Sequence, residues 1–253
     1  NLNVFTGSAP SGASNLPVLV WIHGGAYTNG SGSIPWYHGS ALASRGAVVV
    51  SINYRLGAFG FLGAGNYGTL DMISALRWVN RNIAAFGGDV NNVTIFGESA
   101  GGSAVVSLMS SPEAKGLFHK VWAMSPSIGQ LRTLPQAQEM QTQFLELANV
   151  SSIDEVRAMS LDGMLAAQAK QMAIPTENFN FYTPTAGGSA LPYDILSAAV
   201  QSPLPLVLGS NHDEDRLWSA MDPLQAEFGQ HDWERVSGEV FGDRAADARA
   251  VYE

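Results

Sequence analysis

The chain contains no cysteine. That excludes disulfides and a thiol nucleophile. It has no apolar run approaching the length of a transmembrane helix. It shows no internal repeat, no low-complexity tract and no block of like charge. Basic residues are scarce, with 13 Lys and Arg against 22 Asp and Glu, for a formal net charge of -9. This acidity favours solubility and argues against nucleic acid or an anionic membrane surface as a partner. Nothing at Asn1 reads as a signal peptide. What remains is 253 residues of which 46% are hydrophobic, enough for the core of one large α/β domain.

The apolar residues fall into short continuous runs at 18–22, 47–52, 93–96, 120–124 and 204–208. Such runs are expected of parallel strands covered on both faces. Between the second and third, the spacing of Met72, Leu76, Val79, Ile83 and Phe86 predicts a helix over about residues 70–85, with one buried stripe. Gly87-Gly88 is expected to end it. Helical patterns also cover 136–148 and 161–172. Alternating strands and helices point to a mostly parallel sheet.

The densest chemical signal is Gly97-Glu98-Ser99-Ala100-Gly101. It follows the apolar run at 93–96 and precedes small residues that can start a helix. Strand, sharp turn and helix are the context that a G-x-S-x-G nucleophile elbow requires. The turn is tight, so small residues must flank the serine. It lifts the Ser99 hydroxyl above the sheet and turns the Ala100 N–H toward the same point. The bland alternative is a glycine-rich turn with a bystander serine.

A second motif supports the first. The run at 18–22 leads into His23-Gly24-Gly25-Ala26-Tyr27. Acyl transfer needs donors aimed at the oxyanion of the tetrahedral intermediate. One comes from the residue after the nucleophile, and others from a glycine-rich loop after an earlier strand. Gly25 and Ala26 stand where such donors belong.

These motifs resemble the type-B carboxylesterases. The resemblance runs through LNVF (residues 2–5), PVLVWIHGGAY (17–27), VVVSINYRLGAFGFL (48–62) and GNYGTLDMISALRWVNRNIAAFGGDVNNVTIFGESAGG (65–102). GLFHKV (116–121) and HDED (212–215) continue it. It is dense to about residue 125, thin over 129–203 and absent after about 218. It implies an α/β-hydrolase fold over 1–253, with 129–203 as a helical excursion near the active site. It also implies hydrolysis of small-molecule carboxylic esters, with water as second substrate and neither metal nor organic cofactor. A cysteine-free member looks bacterial, either cytoplasmic or secreted.

The resemblance also implies a Ser-His-Glu triad. The family's acid lies in a Gly-x-x-x-Asp-Glu-Gly segment after a strand. Glu214 occupies that place, with Asp215 where the family has glycine. Its role would be to accept from the imidazole and fix its tautomer. The histidine is missing. His23 belongs to the glycine loop, His38 replaces a family aspartate, His119 lies in GLFHK, and His212 is too near the acid. His231 follows Glu214 but lacks the family's surroundings. The expectation is therefore a chain cut at both ends, with a companion C-terminal segment supplying the histidine. A non-catalytic binding relative, or an inactive fragment of the same fold, is the alternative.

Several residues invite smaller expectations. Glu98 is a carboxylate beside the pocket or a structural acceptor. Arg55 and Asp89 are expected to form a buried structural pair. Ser125 matches a family serine that supports the triad. Trp36, Tyr37, Phe59 and Phe61 could line a substrate pocket or the core.

Overall fold

The computed structural model describes residues 1–7, 15–127, 131–174, 182–214, 234, 237–238 and 242–252. The chain divides into two compact units, Asn1–Gly209 and Ser210–Glu253. The first holds one six-stranded sheet. Its strands are β1 (Leu2–Phe5), β2 (Leu16–Ile22), β3 (Val48–Ile52), β4 (Gly88–Glu98), β5 (Lys120–Met124) and β6 (Leu206–Gly209). Their spatial order is β1-β3-β2-β4-β5-β6. Only β1 runs antiparallel to its neighbour, β3; the other pairs are parallel.

The expectation of strands buried on both faces holds in full for β3 alone; β5 alternates, leaving Trp122 exposed. All five residues of β3 are buried, because helices cover both faces of a parallel sheet. β4 alternates instead, burying Val93, Ile95 and Gly97. It also extends back to Gly88, well before the predicted 93–96. Asp89, Asn91 and Asn92 carry no apolar signal; they fall in a bulge, because Leu16 pairs with Gly88 and the next pair is Val18 with Val93. The run at 204–208 becomes β6, and it is not buried. As the last strand in the order it is exposed at all four residues.

Helix α3 (Tyr67–Asn82) buries Met72, Leu76 and Val79 of the predicted stripe, together with Ile73; Ile83 is buried just beyond its end, but Phe86 is exposed. The helix begins earlier than expected, immediately after Asn66, whose φ of 48° breaks the preceding chain. A turn of 3₁₀ helix at Ile83–Phe86 follows, closed by Gly87 at φ 83°. Gly88 does not stop the helix; it opens β4.

The stretch expected to be a helical excursion holds α5 (Leu134–Ala148), α6 (Ile153–Ala158), α7 (Leu161–Met172) and α8 (Ile195–Val200). These follow α1 (Ser40–Ala43), α2 (Gly57–Phe61) and α4 (Ala100–Ser110) in the chain. Thr133 and Gln136 form a reciprocal cap at the start of α5, and Ser152, Ser160 and Asp194 accept from the first turns of the next three. Each such cap is worth about 1 kcal/mol.

Two buried polar side chains tie this stretch to α2 and to the start of α3. Asn66 donates to the carbonyls of Thr185 and Ser189 and accepts from the Thr185 N–H. Arg132 donates to the carbonyls of Thr183 and Phe61, and burial pulls its pKa down to about 10. No helix among the described residues is long and apolar enough to cross a membrane.

Candidate active site

Ser99 sits where β4 hands over to α4. Its backbone is at φ 57°, ψ -123°, a region costly for any residue with a side chain. Packing around the turn holds it there. The Ser99 N–H donates to the Met124 carbonyl at 2.9 Å, and the Ser99 carbonyl accepts from the Ser103 N–H at 2.9 Å. The Ser103 hydroxyl donates to the same carbonyl at 3.2 Å and accepts from the Ser127 N–H at 2.7 Å.

The flanking glycines are steric necessities. A β-carbon on Gly101 would lie 2.1 Å from the Ile22 carbonyl oxygen, and one on Gly97 would lie 2.5 Å from the Gly101 backbone. Strand, turn and helix therefore approach closer than any side chain permits. Ser99 itself is half-buried and Ala100 is buried.

The glycine loop after β2 is equally strained. Gly25, Ala26 and Tyr27 take φ of 113°, 52° and 58° in succession. The Gly25 carbonyl accepts from both the Thr28 and Asn29 N–H groups at 3.0 Å, which fixes the bend. Among the described residues, the N–H groups of Gly25 and Ala26 donate to no backbone carbonyl. Ala100 is the first residue of α4, so its N–H has no partner within the helix. β2 and β4 are paired, with Ile22 opposite Gly97. That register carries the loop to the elbow, and Gly24 packs directly against Glu98 and Ser99.

Glu214 lies in the second unit, where its carboxylate accepts from the Asn211 N–H at 2.6 Å. His212 in the same turn contacts Asp213 at 3.2 Å with its side chain 95% exposed. Other histidines are engaged elsewhere. The His119 Nδ1 accepts from the Val93 N–H. His38 stacks edge-on against Phe5. His23 is buried and bonded to Gly24. His231 lies outside the described residues.

One expected pair is wrong. Arg55 bonds to Asp71, not Asp89, through two contacts of 2.8 Å, and its side chain is 50% exposed. Asp71 lies in α3, and the motif pattern offered no signal of it. Asp89 instead accepts from the Asn91 N–H. Of the aromatics, Phe61 is fully buried and Trp36 exposed. Tyr37 packs on Trp21. Phe59 lines a cavity of about 500 Å³ with Leu62, Ile153 and Met164, and Ser99 is not among its lining. Ser125 has φ 45° and donates its N–H to the Gly209 carbonyl. The Tyr54 hydroxyl donates to the His23 carbonyl at 2.8 Å, a bond that no motif signalled.

A mostly parallel sheet, a serine on a strained strand-to-helix turn and a glycine loop packed against it define an α/β hydrolase. Within that class the chain belongs to the carboxylesterase family, whose family model matches residues 1–250. It is 40% identical over 237 residues to the para-nitrobenzyl esterase of Bacillus subtilis (strain 168), covering 87% of this chain and 48% of that protein. It is 40% identical over 224 residues to a human cocaine esterase, covering 84% and 39% respectively. Among solved structures, a PNB esterase superposes with a TM-score of 0.86 at 35% identity, over 100% of this chain and 56% of the other. The carboxylesterase EST55 of Geobacillus stearothermophilus gives 0.83 at 38% identity, over 94% and 52%. The chain thus spans about half the length of the relatives it matches.

Proposed function

We propose that the full-length protein hydrolyses small-molecule carboxylic esters through an acyl-enzyme. Ser99 attacks the ester carbonyl. The N–H groups of Gly25, Ala26 and Ala100 stabilise the oxyanion that forms, in a site where preorganised donors are worth far more than water. A histidine takes the serine proton and returns it to the leaving alcohol, and Glu214 orients that histidine. Water then releases the acid. Similar proteins carry the names para-nitrobenzyl esterase, cocaine esterase and fumonisin B1 esterase, which support ester chemistry without choosing the ester.

The observation that carries this reading is the meeting of two strained segments. The Ser99 turn and the Gly25–Tyr27 bend each hold left-handed, non-glycine residues, and Gly24 brings them together. Strain of this kind persists where function requires it.

Among the described residues, His23, His38 and His119 are held by other partners and His212 is only two residues from Glu214; His231 lies outside them, so the reading assigns the imidazole to no particular residue. A fluorophosphonate probe on the full-length protein should label Ser99, and a short-chain p-nitrophenyl ester should give a burst of p-nitrophenol. Labelling elsewhere, with Ser99→Ala still turning over, would refute the assignment. A full-length protein that neither labels nor turns over would favour a non-catalytic relative.

A further inference from the structure

No catalytic step above uses His23. Its side chain is fully buried. The ring lies 4.5 Å from the Tyr54 ring, tilted by 19°. Nδ1 is 2.8 Å from the Gly24 carbonyl oxygen. A carbonyl only accepts, so the bond places the proton on Nδ1. Nε2 has no hydrogen-bond partner among the described residues, and burial lowers the ring's pKa. Both favour the neutral Nδ1–H tautomer. The Tyr54 hydroxyl donates to the His23 carbonyl at 2.8 Å. One stacked aromatic pair therefore holds two consecutive carbonyls of the glycine loop.

A planar trans peptide carries its N–H opposite its C=O. Drawing the Gly24 carbonyl to the His23 ring aims the Gly25 N–H away from that ring. Drawing the His23 carbonyl to Tyr54 does the same for the Gly24 N–H. Gly30 keeps room for the arrangement. At φ 102°, a β-carbon there would lie 2.4 Å from the Gly24 oxygen and 2.6 Å from Nδ1.

We propose that His23, stacked on Tyr54, is a positioning residue that sets the direction of the Gly25 N–H. It touches no substrate and acts through the Gly24–Gly25 peptide. The catalytic consequence rests on the ester-hydrolase reading; the orientation does not.

The test compares His23→Asn, His23→Phe and Tyr54→Phe in the full-length protein. Asparagine puts an amide donor the same number of bonds from the backbone as Nδ1. Phenylalanine at 23 keeps the ring and lacks the donor. Tyr54→Phe removes a single hydroxyl and guards against a His23→Phe protein that fails to fold. His23→Phe should lower kcat for a p-nitrophenyl ester by roughly tenfold to a hundredfold, with KM within about twofold. Tyr54→Phe should lose less, and His23→Asn should recover most of the rate. Affinity for a trifluoromethyl ketone, which forms a tetrahedral oxyanion, should fall in step with kcat.

The second readout needs no turnover. Amide exchange of a peptide spanning residues 24–27, followed by mass spectrometry, should quicken in His23→Phe and Tyr54→Phe and stay near wild type in His23→Asn. Equal exchange in every variant overturns the proposal, as does a His23→Asn protein as impaired as His23→Phe. A wild-type protein without Ser99-dependent hydrolysis sinks the hydrolase reading instead, and the exchange rates still judge the positioning role.

Discussion

A β-carbon placed on Gly24 would stand 3.2 Å from the Ser99 Cβ and 2.6 Å from the Glu98 carbonyl oxygen. Loop and elbow thus meet at Gly24, whose missing side chain lets the loop backbone reach the Glu98 carbonyl and the Ser99 Cβ. Gly24→Ala should push the two apart. Displacements near 1 Å cost catalysis about a hundredfold, and overpacking costs about 1–3 kcal/mol. Steady-state kinetics and a urea midpoint on the full-length protein would measure both. An unchanged kcat would remove the loop from the mechanism.

Ser99 is held at a positive φ that glycine adopts freely. Ser99→Gly should abolish ester turnover and stabilise the fold by about 1 kcal/mol, since released strain of roughly 1–3 kcal/mol exceeds the entropy cost of a glycine. Denaturant unfolding beside Ser99→Ala separates the backbone effect from loss of the hydroxyl. Equal stability of the two variants would mean that the elbow stores no strain.

Burial lowers the pKa of His23 below that of a free imidazole. Below about pH 6.5 an unfolded His23 binds a proton that the folded one refuses. Its contribution to stability is therefore complete above that pH and is lost as the pH falls. His23→Phe should flatten the drop in urea midpoint between about pH 8 and about pH 5. The remaining histidines are common to both proteins and cancel. An identical pH slope in the two would contradict a buried, neutral His23.

Asn66 is fully buried and its side chain makes three hydrogen bonds to the segment at 185–189. Asn66→Ala strands the Thr185 N–H and strains an alanine at φ 48°. The cost should be about 2–4 kcal/mol, combining an unsatisfied buried group with backbone strain. Hydrogen exchange should quicken first at 185–189. Global unfolding without that local signal would deny the side chain its role as a tie.

Much of the first unit is legible in the sequence alone. The β5 run and the α7 pattern were read with the bounds that the structure gives, because both depend on burial that repeats along a short stretch. Boundaries slipped where local pattern and tertiary pairing diverge. Asp89, Asn91 and Asn92 look like loop, and they form a bulge that the flanking pairs Leu16–Gly88 and Val18–Val93 keep within β4.

By itself, the sequence determined the alternation of strand and helix, the Gly97–Gly101 elbow and the glycine loop. Each is a local demand, either for apolar residues in a doubly covered strand or for missing side chains in a tight turn. Tertiary structure alone decided what meets across the chain. Arg55 took Asp71 rather than Asp89 because α3 presents that carboxylate beside it. Gly24 reached Ser99, and His23 stacked on Tyr54, because the register of β2 against β3 and β4 carries their loops to one end of the sheet. Such contacts join residues tens of positions apart. They follow from strand pairing, and strand pairing leaves no trace in the residues that flank it.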